Sequence, residues 1–250
     1  MIWMSWVISP CHLCAVAFEV KRSGMPRRAL SDKRPFLLLG ITAALAFYYL
    51  RASEFPEFYL IPLKGFATFM LAVYIWVRHS GPSARLLAWA FGAAALGDMA
   101  MEADRTIGGL LFFAYHVLAM GVFLRHRRPQ LAPTQSWVCG LVLLLTPVIA
   151  WLLPADREIA WQTALYGLAL GAMASSAWAS DFPRYRVGAG AMLFLLSDIL
   201  IFAEMGPLAN SDIARYLVWP IYYLGQFLIA TGVVQTMRKR DPELRVVSAS

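Results

Sequence analysis

The sequence predicts an all-α polytopic membrane bundle of about eight transmembrane helices, and three observations predict it. Apolar residues make up 60% of the chain and charged ones only 15%, against roughly 25% charged in soluble domains; the mean hydropathy is +0.59. The apolar residues come in continuous runs rich in Leu and Ala, not in the alternating short strands of a barrel. About 20 helical residues cover the hydrocarbon core, and backbone groups in lipid must pair internally, so such runs are read as helices. Finally, the basic residues change sides with every run.

Residues 1–35 read as a basic leader carrying Lys21, Arg22, Arg27, Arg28, Lys33 and Arg34. No basic segment precedes the apolar stretch at 1–20, which is the wrong order for a secretory signal. Met25 opens MPRRALSDKRPFLLL, an ordinary start for a membrane protein, so the reading is an over-long start or a peripheral helix. Cys11, Cys14 and Cys139 are three, so not all can pair, and Cys11-His12-Leu13-Cys14 is half a metal site with no second half.

The spans follow at 36–50, 61–77, 86–103, 107–124, 136–153, 159–179, 187–205 and 214–237, within one membrane domain over 36–237. Charged or Pro-rich breaks separate them, such as Arg51 to Pro56 and Arg125 to Pro133. A tail over 238–250 ends the chain. Of the basic residues, 17 fall on the side of the leader, the even-numbered breaks and the tail; Arg51, Lys64, Arg105, Arg157 and Arg215 fall on the other. The positive-inside rule then places both termini in the cytoplasm, in the inner membrane if the source is a bacterium. The net charge of +7 is thereby an orientation signal, and a nucleic-acid partner is not implied. Trp76, Trp89, Trp137, Trp151 and Trp219 lie near span ends, as an interfacial belt requires.

Ionisable residues inside spans cost roughly 2.5–3.5 kcal/mol on insertion scales and usually face a protein or water cavity. Asp98, Glu102, His116, Asp198 and Glu204 are such residues. Asp98 and Glu102 share one helix face, whereas Asp198 and Glu204 diverge by roughly 120°. Asp98 lies 13 residues past Arg85 and Asp198 lies 12 past Arg186, on spans running in the same direction. The two carboxyls therefore belong at one depth, toward the non-cytoplasmic side, and they face each other if spans three and seven are neighbours. Two like charges in a low dielectric resist ionising together, so a facing pair holds one proton between them, the equipment of acid–base chemistry with water. The alternative is that each Asp pairs with Lys64, His116, a Tyr or a Trp and only holds helices together.

The other candidates carry two readings each. Lys64 is a snorkelling anchor or a phosphate contact helped by Arg105 or Arg215. Tyr222, Tyr223 and Gln226 lie within about one turn of span eight and are aromatic belt plus packing, or donors lining a polar cavity. The four histidines cannot meet at one depth, so a three-His zinc site is not expected. No Gly-x-Ser-x-Gly elbow supports a serine hydrolase, and Ser197, Ser175 and Ser176 read as small residues for helix packing.

Span three, FGAAALGDMAMEAD, echoes span seven, GAMLFLLSDILIFAE, with the two Asp residues 100 positions apart. Tyr115-His116 and Tyr222-Tyr223 follow in spans four and eight. Two parallel repeats of four spans give this pattern, as does chance similarity of apolar spans.

The Leu-Gly-Asp of span three, Ala114-Tyr115-His116, LFLLSDIL of span seven and YYLGQFLI of span eight together resemble the YhhN / transmembrane protein 86 family, over roughly residues 36–237. The resemblance implies about eight spans and the activity of the characterised members, which are lysoplasmalogenases. These hydrolyse the vinyl-ether bond of lysoplasmalogens to a fatty aldehyde and a glycerophospho-alcohol. It implies Asp98 and Asp198 as the catalytic pair, with His116, Tyr223 and Gln226 at the site. The partners implied are a lysophospholipid substrate and membrane lipid, with no metal or organic cofactor. Members often have Lys-Pro near the start of span two, where this chain has Pro62-Leu63-Lys64. The rival reading is a proton- or cation-coupled transporter or a lipid-binding protein. A transporter should show broken helices, and a hydrolase a closed-ended apolar cavity with both Asp residues at its base.

Overall fold

A computed structural model describes residues 35–240. The leader with His12, Cys11 and Cys14, and the end of the tail with Arg245, lie outside the described residues. All eight apolar segments are helices: α1 (Pro35–Leu50), α2 (Glu57–Arg78), α3 (Pro82–Ala103), α4 (Arg105–Arg125), α5 (Pro133–Leu152), α6 (Ala160–Ala179), α7 (Ala189–Glu204) and α8 (Asp212–Arg240). A π-helical turn over Arg184–Gly188 leads into α7. Six of these stretches are long and apolar enough to cross a membrane by themselves; the others are α1, with 16 residues, and α6. α6 carries Gly167, Gly171, Ser175 and Ser176 along its length, small residues that lower its hydropathy and suit close helix packing.

Local chemistry sets the helix ends. Pro82 and Pro133 open α3 and α5, where a missing N–H costs nothing. Asp104 ends α3 and starts α4, its carboxylate accepting from the backbone N–H of Thr106 (2.7 Å) and Ile107 (3.1 Å). Pro62, Pro147 and Pro220 lie inside continuous helices.

The packed pairs close a ring in the order α2, α3, α4, α6, α7, α8 and back to α2. α1 braces α2 and α8 from outside, and α5 braces α6 and α7. Counted as two halves of four, α2–α4 and α6–α8 take equivalent places in the ring, and the junction α4 with α6 matches α8 with α2. The equivalence is incomplete, because α5 leans on α7 whereas its counterpart α1 leans on α8. At α7 and α8 the backbones nearly touch: a Cβ on Gly190 would meet the Gly225 carbonyl oxygen at 2.7 Å, and the reverse contact is also 2.7 Å. Outside the ring, Leu38, Leu45, Trp89, Trp137 and Leu144 stay exposed, as a lipid-facing surface requires.

The end of the bundle where Pro35 begins and Arg240 finishes is fastened by polar contacts. His126 Nε2 pairs with Ser83 Oγ at 3.0 Å, and Arg240 pairs with Asp181 at 2.8 Å. Arg127 and Ser180 form an isolated antiparallel bridge. The opposite end is open.

Candidate active site

The opening leads into a cavity of about 1060 Å³, bounded by every helix except α5. Its volume is at the upper end of the roughly 300–1,000 Å³ typical of small-molecule sites. Asp98 from α3 and Asp198 from α7 both line it, together with Ser197, Tyr222, Tyr166 and Phe112 at the same depth. Beneath that level Tyr115, His116, Phe194 and Gln226 are fully buried, so side chains fill the ring below the two carboxyls. Phe47, Leu60, Leu110, Ile201, Phe202 and Trp219 supply apolar wall above them.

The facing of the two carboxyls is conditional on α3 and α7 being neighbours, and the two helices stand across the ring, not among its packed pairs. Both aspartates line the one cavity, each anchored by its own neighbours. Asp98 is 2% exposed, and its Oδ2 accepts from Thr68 Oγ1 (2.6 Å) and from the Tyr222 hydroxyl (2.9 Å). Behind Tyr222, Gln226 Nε2 donates to its hydroxyl at 3.3 Å, and Tyr115 donates to Gln226 Oε1 at 2.8 Å. Asp198 is 5% exposed, and its Oδ2 accepts from the Tyr166 hydroxyl at 2.7 Å. His116 Nε2 lies 3.0 Å from that hydroxyl and 3.6 Å from Asp198 Oδ2. Since Tyr166 gives its one proton to Asp198, His116 must donate to the Tyr166 hydroxyl from Nε2, and its other ring nitrogen is Nδ1. That Nδ1 is buried without a partner.

The halves of the ring thus treat their carboxylates alike. Asp98 on α3 is held from α2 and α8; Asp198 on α7 is held from α6 and α4. Thr68 and Tyr222 stand at Asp98 as Tyr166 and His116 stand at Asp198.

The remaining sequence candidates fall in three places. Lys64 and Glu102 line the cavity above Asp98 and form an ion pair of 2.6 Å. The Lys64 ammonium also lies 5.7 Å and 5.8 Å from the Phe47 and Trp219 ring centroids, which holds it within the site. Of the tyrosine pair, Tyr222 lines the cavity and Tyr223 does not. Tyr223 stacks on Trp219, and its hydroxyl sits against Gly40 of α1. Gln226 and His116 stand behind the wall and orient Tyr222 and Tyr166; Glu204 at the end of α7 is not part of the lining.

Thr68 and Tyr166 are site residues that the sequence did not mark. Thr68 lies four residues past Lys64 and so shares its helix face. Tyr166 is the one Tyr of α6, at mid-span, where a hydroxyl needs a buried partner. Both signals are weak alone, because Thr and Tyr are ordinary residues of membrane helices. Among the described residues, no group of three or more His, Cys, Asp or Glu side chains converges.

Compared with known proteins, the sequence matches the model of the YhhN family over residues 58–233. That interval runs from the start of α2 into α8 and contains every side chain that holds the two aspartates. No curated protein and no solved structure matches the chain.

Proposed function

From the premise that the chain belongs to the YhhN family, we propose that it is a membrane-embedded hydrolase of vinyl-ether lysophospholipids. It would release a fatty aldehyde and a glycerophospho-alcohol, the activity that the resemblance to lysoplasmalogenases implies. The observation that carries the reading is the placing of two carboxyls at the foot of one apolar-walled cavity that opens at one end of the bundle.

A vinyl ether is cleaved by protonating its β alkene carbon. The π electrons form the new C–H bond, and the ether oxygen shares the positive charge as an oxocarbenium ion. Water then adds to the α carbon and loses a proton, giving a hemiacetal. Collapse of the hemiacetal breaks the bond to the glycerol oxygen, which leaves as the alcohol, and the aldehyde remains. One protonated carboxyl supplies the first proton, and one carboxylate faces the cation and takes a proton from water. The chain enters along the apolar wall with the headgroup at the opening. Phe112 and Phe194 pack edge-on to one another and to Tyr222, with centroids 5.1–6.1 Å apart.

The test is aldehyde release from an alkenyl lysophospholipid by purified protein, comparing wild type with Asp98→Asn and Asp198→Asn. Release by wild type with a loss of about 100-fold or more in each folded variant supports the reading. A wild type inactive on both choline and ethanolamine headgroups overturns it.

A further inference from the structure

The mouth of the cavity holds arginines without acidic partners. Arg51 follows α1, Arg215 lies in the first turn of α8, and both line the cavity. The Arg51 guanidinium donates to the backbone carbonyl of Arg215, which fixes the two residues side by side. Neither is in an ion pair. Among the described residues the ion pairs are Lys64 with Glu102, Arg240 with Asp181, and the His116–Asp198 contact. Arg105, the first residue of α4, lines the same mouth and is also unpaired. Lys64, the cation that sequence reasoning favours for a phosphate, is already matched by Glu102 at 2.6 Å.

Holding two guanidiniums together is unfavourable by itself. Arg51 shows the cost: its pKa is lowered, first by burial and then by the charge of Arg215, with Glu102 and Glu204 pulling the other way. An anion seated against both would offset that repulsion, and guanidinium forks match the oxygens of a phosphate. We infer that Arg51 and Arg215 form a phosphate subsite for the headgroup of a lysolipid whose chain fills the cavity below. Arg215 stands seven residues before Tyr222 on α8, about 10 Å along the helix axis. A glycerol phosphate together with an arginine side chain spans that interval, so the phosphate sits at the mouth while the chain linkage reaches the carboxyls. The subsite rests on the reading of the cavity as a lysolipid site, and not on which bond is broken there.

Binding, rather than turnover, separates the two. The probes are an acyl lysophosphatidylcholine, which has no vinyl ether, the monoacylglycerol of the same chain, and glycerol 3-phosphate. Each is titrated into purified full-length protein and followed by the fluorescence of the cavity residues Trp161 and Trp219. Wild type should bind the lysophospholipid about 10-fold or more tighter than the monoacylglycerol. Arg215→Gln should collapse that preference to within about twofold, and Arg215→Lys should keep part of it. Arg157→Gln is the control, because Arg157 is at the same end but is committed to the Trp151 ring (4.2 Å) and backbone carbonyl (2.8 Å). In wild type alone, about 1 M salt should erode the preference while sparing the monoacylglycerol, which keeps the test valid should a variant fail to fold. Equal binding of the two lipids, or a preference that survives Arg215→Gln, overturns the subsite. Arginine-dependent binding of glycerol 3-phosphate as tight as that of the lysolipid also overturns it, since the ligand is then a free phosphate ester. Preference without aldehyde release sinks the hydrolase alone; release without preference sinks the subsite alone.

Discussion

Asp98 and Asp198 occupy matching places in the two halves of the ring, yet their supports end differently. Behind Asp98 the donors are Thr68 and Tyr222, and the chain runs on through Gln226 to Tyr115. Its members are hydroxyls and an amide, which orient a carboxylate but exchange no proton near neutrality. Behind Asp198 the chain is short and ends on the imidazole of His116. The two halves place their carboxyls alike and differ in what stands behind them: the donors behind Asp98 lead to Tyr115, and those behind Asp198 to His116.

The largest effects should come from the carboxyls. In the scheme above, Asp98→Asn and Asp198→Asn each lose about 100-fold or more in aldehyde release, and the double variant should fall little below either single one, because the two act as a unit. A double variant that loses the product of the single effects would break the comparison by making the two sites independent.

Next come the partners. Tyr166→Phe removes the shortest donor to Asp198, leaving Ser197 Oγ at 3.3 Å, and takes the hydroxyl away from His116 Nε2. At about 1–3 kcal/mol for such a loss, release should fall roughly 10- to 100-fold. Tyr222→Phe leaves Asp98 with Thr68, and Thr68→Val leaves it with Tyr222, so each should cost less, on the order of 3- to 10-fold. His116→Gln should also lower release, because it removes the group at 3.0 Å from the Tyr166 hydroxyl. Release unchanged in His116→Gln would remove His116 from the support of Asp198.

This division shows what sequence can carry. A carboxylate inside an apolar span is conspicuous because lipid penalises it, so Asp98, Asp198 and Glu102 stand out, and the run lengths locate all eight helices. Lys64 pairs across 38 residues with Glu102, not with an aspartate as one reading of the sequence has it, because depth alone does not say which of the carboxylates on one helix a lysine meets. The ring order does not follow, because lipid-facing and ring-facing sides of these helices are both apolar and no periodic stripe tells them apart. The choice between Tyr222 and Tyr223 has the same origin: adjacent residues differ by about 100° around the helix, and only the placement of α1 beside α8 decides which hydroxyl enters the cavity.

The smallest effect belongs to the fastened end, where the halves are tied far from either aspartate. His126, just past α4, pairs with Ser83 at the start of α3 and packs on the Phe182 ring at 5.0 Å. Its pKa lies below that of a free histidine, first because of burial and then because Arg240 and Arg125 add positive charge, with Asp181 opposing them. The folded protein therefore prefers the neutral ring. Above about pH 6.5, the free value, both states are neutral and the contribution is complete. As pH falls below that value the unfolded chain takes up the proton first, and stability is lost until the folded ring protonates too. The midpoint of thermal unfolding in detergent should drop modestly between about pH 7.5 and 5.5, and His126→Gln should flatten that drop while lowering the midpoint at the higher pH. Equal slopes in variant and wild type would assign the drop to other groups. Aldehyde release per folded molecule should not change, because the fastening carries no contact to Asp98, to Asp198 or to the side chains that hold them.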